Sequence, residues 1–163
     1  MTEQANPALV AAVRLLSIKR LTKAQLAQKL RDRGYAPEPV EAAVAECERQ
    51  KYVDDRTFAE LYVKSILDRK AVGRMRLLQD LLRHGVDGDL AREVLDRVDE
   101  DEGERIDRAL AKLESLRPQD GYGQLGRRLE RLGFGAPAIA SALRRRSEKR
   151  ASLPGAADFE EHA

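Results

Sequence analysis

Between Val53 and Leu95, apolar residues recur every three or four positions in three short runs. Such spacing places apolar side chains on one face of an α-helix, so the stretch predicts three amphipathic helices separated by turn residues. The helices are expected at Phe58–Lys70, at Met75–His84 and from near Asp87 onward. Because helices of about ten to thirteen residues are marginal alone in water, these three are expected to pack on one another.

The same pattern recurs on both sides of this stretch. Gly34, Gly85 and Gly133 each end a predicted helix, and they are separated by 51 and 48 residues. Leucines lie eight and four positions before each glycine, and apolar residues lie one and ten positions after it. The matching residues are Leu26, Leu30, Tyr35 and Val44; Leu77, Leu81, Val86 and Leu95; and Leu125, Leu129, Phe134 and Leu143. Three copies in one register indicate an internal repeat.

The repeat predicts an all-α fold of three tandem three-helix modules that form an elongated array. The modules are expected at residues 9–53, 54–100 and 104–147, with an acidic linker containing Gly103 before the third. Residues 148–163 lack periodicity and predict a disordered tail.

In the first module, the pattern over residues 9–18 predicts a helix whose apolar positions are Val10, Val13 and Leu16. Thr22 followed by Gln25 matches a capping box at the start of the second helix. Pro37 and Pro39 suit the first turn of the third helix, where a missing backbone donor is tolerated.

The composition favours several thin helical interfaces over one large core, since 42% of the residues are hydrophobic but only 4% are aromatic. The single cysteine, Cys47, excludes an internal disulfide and a cysteine-based zinc site, and its apolar helical position is typical of a core residue. No apolar run approaches a membrane span, and the N-terminus does not match a signal peptide. A cytoplasmic protein without a membrane partner is expected.

Charge is distributed unevenly along the chain. Residues 13–53 contain nine basic and five acidic side chains, residues 54–103 nine and thirteen, and residues 104–150 twelve and six. Basic groups attract phosphates or an acidic protein surface, and an acidic run repels nucleic acid. For any single residue a solvated helix face is the simpler interpretation, but the segregation of signs favours a binding surface.

Candidate catalytic chemistry is sparse. Asp54 and Asp55, next to each other at a predicted helix start, are better explained as caps than as an acid–base pair or a metal site. His84 precedes Gly85, where a cation near a helix C-terminus is favourable. We find no phosphate-binding loop, no nucleophile paired with a base and no metal-ligand spacing. The sequence therefore predicts a non-enzymatic protein without a cofactor.

The stretch from Leu21 to Glu46 is superficially similar to a helix-turn-helix. Its second helix, however, offers four carboxylates to a polyanion, namely Glu38, Glu41, Glu46 and Glu48. Sequence-specific reading of DNA through that helix is disfavoured. The arginines of the third module remain candidates for backbone contacts to nucleic acid.

Several short motifs together carry a family resemblance. They are YVDD at Tyr52–Asp55, Phe58–Ala59, Tyr62–Val63, Gly73 with Arg76 and Leu77, Leu81, His84–Gly85–Val86, and LERLGFGAPAIASAL in the third module. On these residues the chain resembles the RecX family, bacterial regulators of the RecA recombinase. It departs at Gly73–Arg74, where the family often has Gly-Pro, and in a sparser basic helix before it.

The resemblance implies an array of three-helix repeats that binds RecA–DNA filaments in their groove. There it is expected to suppress ATP hydrolysis, strand exchange and the coprotease activity of RecA, within homologous recombination, DNA repair and the SOS response. Some members also bind DNA directly, single- or double-stranded.

The residues expected to contact the filament or DNA share a positive charge. They are Lys64, Arg69, Lys70, Arg74, Arg76, Arg127, Arg128, Arg131, Arg144 and Arg145. A monomer is expected. Two alternatives remain open: a DNA-binding helical-repeat protein without a recombinase partner, and a helical scaffold for an unrelated protein.

Overall fold

The computed structural model describes residues 5–98 and 101–154. In those residues the chain forms α-helices and no strand, which confirms the all-α prediction. The helices are α1 (Pro7–Ile18), α2 (Lys23–Asp32), α3 (Pro37–Arg49), α4 (Asp55–Leu67), α5 (Arg74–Arg83), α6 (Gly88–Val98), α7 (Glu102–Leu116), α8 (Tyr122–Arg131) and α9 (Ala136–Ala151).

The described part of the segment predicted as an acidic linker is largely helical. Helix α6 continues to Val98 and α7 begins at Glu102, so Gly103 lies inside a helix. Two of the acidic residues that indicated a linker, Glu102 and Glu104, occupy the first turn of α7, where they face the positive end of the helix dipole.

The predicted disordered tail is helical at its beginning, since α9 extends to Ala151 and so includes residues 148–151. Residues 155–163 of that tail lie outside the described residues.

Helix α1 buries a different face from the one its valines indicated. Ala8, Ala11 and Ala12 are buried, whereas Val10 and Val13 are 48% and 41% exposed. Alanine side chains allow two helices to approach closely, and α1 packs against α3 on this alanine face. Close approach therefore overrides the larger hydrophobic side chains in setting the orientation of α1.

The predicted capping box at the start of α2 is confirmed. Thr22 Oγ1 accepts from Gln25 N at 3.1 Å, and Gln25 Oε1 accepts from Thr22 N at 3.1 Å. Pro37 begins α3, as expected.

Three helices end in the same glycine turn, which contains Gly34, Gly85 or Gly133 at φ +90°, +86° and +92°. In each turn the glycine N–H donates to the carbonyl three residues back, and the next N–H donates to the carbonyl five residues back. This is the Schellman arrangement, which requires a left-handed residue and therefore favours glycine. The repeat predicted from the glycine register is thus present in the backbone.

The described contacts divide the chain into two compact units. Unit 1 comprises Met1–Asp68 and Leu78–Asp96, and unit 2 comprises Arg69–Leu77 and Arg97–Ala163. The chain crosses between the units after α4, within α5 and near the end of α6. A buried core of unit 1 contains Leu26, Leu30, Val40, Ala43, Cys47 and Val53, and that of unit 2 contains Ile106, Ala109, Leu110, Leu125, Leu129, Phe134 and Ala142.

Inside unit 1, the Gly85 turn packs on the first residues of α2. Thr22 Oγ1 donates to the carbonyl of His84 at 2.6 Å. A Cβ added to Gly85 would lie 2.5 Å from Ala24 Cβ, closer than real side chains approach. Glycine is therefore required here for close contact as well as for its positive φ.

Inside unit 2, the Gly133 turn packs in the same way on the first residues of α5. Gly73 N donates to Leu132 O at 2.9 Å, and Met75 N donates to Gly133 O at 3.0 Å. A Cβ added to Gly133 would collide with Arg76 Cβ. Gly73–Arg76 follows Thr22–Gln25 by 51 residues and Gly133 follows Gly85 by 48, so the two junctions are equivalent positions of the repeat.

We expect Gly133→Ala to destabilise the protein more than Gly34→Ala. Both changes place alanine at a positive φ, which costs about 1–2 kcal/mol. Only Gly133 also contacts a neighbouring helix start, whereas a Cβ at Gly34 meets no described atom within 4 Å. Urea unfolding followed by circular dichroism measures the loss of unfolding free energy in both variants. Equal losses would contradict the contact between the Gly133 turn and the start of α5.

Candidate functional site

The junction in unit 2 places basic residues of α5 next to those at the end of α8. Because Gly73 and Met75 bond to the Leu132–Gly133 carbonyls, Arg74 and Arg76 begin their helix against the turn that follows Arg131. Arg76 and Arg131 are exposed, and Arg74 is half-buried. Residues 55 positions apart in the sequence thus form one basic surface, which we call the junction surface and define by Arg74, Arg76 and Arg131.

Two interactions from α7 hold the chain before α5 in place. Glu102 Oε1 accepts from Arg74 N at 3.1 Å, which caps the start of α5 with a carboxylate. The guanidinium of Arg105 is buried; its Nε donates to Val72 O at 3.3 Å and its Nη1 to Val98 O at 3.2 Å. Arg105 was not among the ten predicted contact residues. Its helical spacing from the buried Ala109 is the signal that could have identified it.

The arginines of α8 differ in how their charges are compensated. Arg128 is half-buried, and its Nε donates to Asp120 Oδ2 at 2.6 Å. Arg127 and Arg131 are exposed and form no ion pair with a described residue. The latter two therefore offer more uncompensated positive charge to a ligand than Arg128 does.

The arginines of α9 show the same contrast. Arg145 pairs with Asp107 at 2.9 Å, and Arg144 is exposed. Arg146, a third-module arginine outside the ten predicted contact residues, contacts Glu114 at 2.5 Å, and the hydrogen bond to that carboxylate raises the pKa of Arg146. The acidic partners reduce the charge that Arg145 and Arg146 present to a ligand.

The remaining predicted residues precede α5. Arg69 and Lys70 are exposed in unit 2, whereas Lys64 lies on α4 in unit 1 and contacts Asp68 at 3.6 Å. Nine of the ten predicted residues therefore belong to unit 2, and Lys64 does not.

The Asp54–Asp55 pair caps two different helices. Asp54 Oδ1 accepts from Thr57 N at 3.2 Å at the start of α4, and this backbone hydrogen bond lowers the pKa of Asp54. Asp55 Oδ1 accepts from Lys23 N at 2.9 Å at the start of α2, while burial raises the pKa of Asp55. The capping interpretation is confirmed, and each carboxylate caps a different helix.

His84 is a packing residue of the unit 1 junction. Its ring centroid lies 4.7 Å from that of Tyr62 and 5.4 Å from that of Phe58. Its Nδ1 is 2.9 Å from Gln25 Nε2, so the ring also contacts the capping box of α2. Cys47 is fully buried, and burial raises the pKa of its thiol, in agreement with a core role.

Among residues 5–98 and 101–154, no group of three or more His, Cys, Asp or Glu side chains could hold a metal ion. A search of the same residues finds no helix with the length and hydropathy needed to span a membrane.

Comparison with known proteins agrees with this architecture. A family model for the first three-helix domain of RecX matches residues 8–47, and one for the second three-helix domain matches residues 54–95. A regulatory protein RecX from Pelodictyon phaeoclathratiforme is 30% identical over 163 residues, which cover 98% of this chain and 99% of the relative. The chain belongs to the RecX family.

Other RecX relatives match over part of their length. Regulatory protein RecX from Amycolatopsis mediterranei is 34% identical over 98 residues, which cover 60% of this chain and 56% of the relative. For the protein of the same name from Caldanaerobacter subterraneus, the match covers 53% of this chain and 44% of the relative. The chain thus spans about half the length of these two relatives.

A solved RecX structure shares the fold. The crystal structure of RecX from Lactobacillus salivarius superimposes with a TM-score of 0.79 at 19% identity, over 86% of this chain and 95% of that one. Together with the repeated glycine turns, this identifies the protein as an all-α helical repeat array of the RecX type.

We expect Arg105→Met to lower the free energy of unfolding by about 1–3 kcal/mol for each carbonyl left without a donor. The methionine fills similar space but cannot donate to Val72 O or Val98 O. Arg108→Met, an exposed position on the same helix, is the matched control and should change stability by less than about 0.5 kcal/mol. Chemical denaturation compares the two, and equal effects would exclude a structural role for the buried guanidinium.

Proposed function

We propose that this protein inhibits a RecA recombinase by binding RecA–DNA filaments in their groove. The bound protein suppresses ATP hydrolysis, strand exchange and coprotease activity. Membership of the RecX family and the name of its relatives, regulatory protein RecX, support this assignment. The proposal places the protein in the cytoplasm, in homologous recombination, DNA repair and the SOS response.

The observation that carries the proposal is the junction surface. The Gly73–Gly133 contact fixes basic side chains from two distant parts of the sequence at one place in unit 2. Residues 104–150, all in that unit, contain twelve basic and six acidic side chains. A positive surface of this kind is attracted to a polyanion such as a nucleoprotein filament.

The predicted contact residues are not equivalent in this proposal. Arg127 and Arg131 are exposed and form no ion pair with a described residue, so they can approach phosphates or acidic side chains without large rearrangement. Arg128 and Arg145 must first give up the carboxylates of Asp120 and Asp107, which reduces their net contribution to binding. We therefore rank Arg127 and Arg131 above Arg128 and Arg145 as contacts.

We expect the double variant Arg76→Glu/Arg131→Glu to lose inhibition of RecA. Two charge reversals on the junction surface replace attraction by repulsion toward the filament. The measurement is the RecA-dependent ATPase rate on single-stranded DNA, titrated with this protein. The variant should need at least about tenfold more protein for the same inhibition, a change of about 1.4 kcal/mol.

The matched control is Arg14→Glu/Lys29→Glu, which makes the same charge change at exposed positions of unit 1. It should inhibit like the wild type, and circular dichroism should show unchanged helicity in both variants. Full inhibition by the junction variant would show that the junction surface does not contact the filament. Equal loss of inhibition in both variants would show that only the net charge of the protein matters.

A second candidate function is DNA binding without a recombinase partner, which the exposed arginines of unit 2 also favour. It predicts binding to bare DNA with a steep salt dependence, because neutralised phosphates release counterions. Loss of two phosphate contacts in the Arg76→Glu/Arg131→Glu variant should reduce the slope of log affinity against log salt by about two. Fluorescence anisotropy with and without RecA and ATP separates the two functions. Affinity that RecA leaves unchanged supports this candidate over the filament regulator.

A further inference from the structure

The repeat contains three glycine turns and three equivalent helix starts, but within the described residues only two turns have a helix start to pack on. The turns contain Gly34, Gly85 and Gly133, and the helix starts are Thr22–Gln25, Gly73–Arg76 and Gly121–Gln124, each group spaced by 51 and 48 residues. Gly85 packs on the first helix start and Gly133 on the second. Within the described residues, the Gly34 turn packs on no helix start and the Gly121–Gln124 helix start receives no turn.

The Gly34 turn has the geometry of the two turns that are packed. Its φ of +90° and its two backbone hydrogen bonds, to the carbonyls of Arg31 and Leu30, match those of the Gly85 and Gly133 turns. No described atom lies within 4 Å of a Cβ built on Gly34. The next residue, Tyr35, is only half-buried, whereas its counterparts in the packed turns are 3% and 2% exposed.

The start of α8 is capped in the same way as the start of α2, which receives the Gly85 turn. Gln124 Oε1 accepts from Gly121 N at 3.0 Å, as Gln25 Oε1 does from Thr22 N at 3.1 Å. No described atom lies within 4 Å of a Cβ built on Gly121 or on Gly123.

Neither glycine at the start of α8 is explained by conformation. Gly121 has φ −76° and ψ 169°, which any residue adopts, and Ser, Thr, Asp or Asn would cap the helix at least as well. Gly123 lies inside the helix, where glycine costs about 0.5–1 kcal/mol relative to alanine. At Gly73, the counterpart of Gly121, a side chain would collide with the backbone of the Gly133 turn. Close approach of a partner backbone therefore accounts for Gly121, whereas the counterparts of Gly123 are Ala24 and Met75, which carry side chains.

We propose that the Gly34 turn of one copy of this protein docks on the Gly121–Gln124 helix start of a second copy. The contact repeats between chains the junction that occurs twice within the chain. By analogy with Leu132 O and Gly133 O, the acceptors are Arg33 O and Gly34 O, and the donors include Gly123 N, the counterpart of Met75 N.

Because the two surfaces differ, the association is head to tail and adds copies in one direction. It is weak in free solution, since one junction buries little surface, and it replaces the monomer expected from the sequence. The inference rests on the repeat alone and stands whether or not RecA is the partner.

The test is a concentration series of amide spectra of the full chain by nuclear magnetic resonance. The Gly34, Gly121 and Gly123 signals should shift together as the protein concentration rises, and the Gly103 signal should not. Gly103 is a matched internal control, since it is also the second residue of a helix and is also open. Signals that do not move, or a Gly103 signal that moves equally, would overturn the proposal.

A variant pair separates this contact from any other self-association. Gly121→Gln places a neutral side chain at the counterpart of Gly73, where it meets nothing in its own chain but would collide with a docked turn, and it should abolish the Gly34 shift. Gly103→Gln places the same side chain on α7 and should leave the Gly34 shift intact. Persistence of the shift in Gly121→Gln, or its loss in Gly103→Gln, would show that another surface associates.

Discussion

The structure depends on backbone approaching backbone at its glycine turns. At Gly85 and Gly133 a helix ends in a left-handed residue, and its final carbonyls are close enough to accept hydrogen bonds from the start of another helix. A Cβ at either glycine would prevent this approach. One small residue therefore ends the helix, satisfies its carbonyls and sets the spacing to its neighbour, which explains why the register of the glycines is the strongest pattern in the chain.

The same contact connects architecture with the proposed binding surface. The basic residues of α5 and α8 belong to different copies of the repeat, and they lie together because Gly73 and Met75 donate to the turn that ends α8. Arg105 supports this arrangement from α7 by donating to the carbonyl that precedes Gly73. A charged side chain can thus have its largest effect on binding by fixing the backbone that presents other charges, while its own charge is hidden.

Periodic features of the molecule could be predicted from the sequence, and features that depend on close contact could not. The leucine and glycine positions gave the helices, the turns and the repeat, because each follows from local spacing. The alanine face of α1 was missed because Val10 and Val13 are more hydrophobic than the residues that pack. The ion pairs of Arg128 and Arg145 join different elements, so charge counting could not distinguish them from Arg127 and Arg144. The module boundaries and the contact residues remain predictions.

The burial of Cys47 has a practical consequence for studying the molecule. It is the one cysteine of the chain, it is 0% exposed, and its thiol resists ionisation, so thiol-directed reagents will not reach it in the folded protein. For chemical labelling the native chain therefore behaves as if it were cysteine-free. A fluorophore or spin label can be attached at any chosen surface position by adding one cysteine, without altering the interior of unit 1.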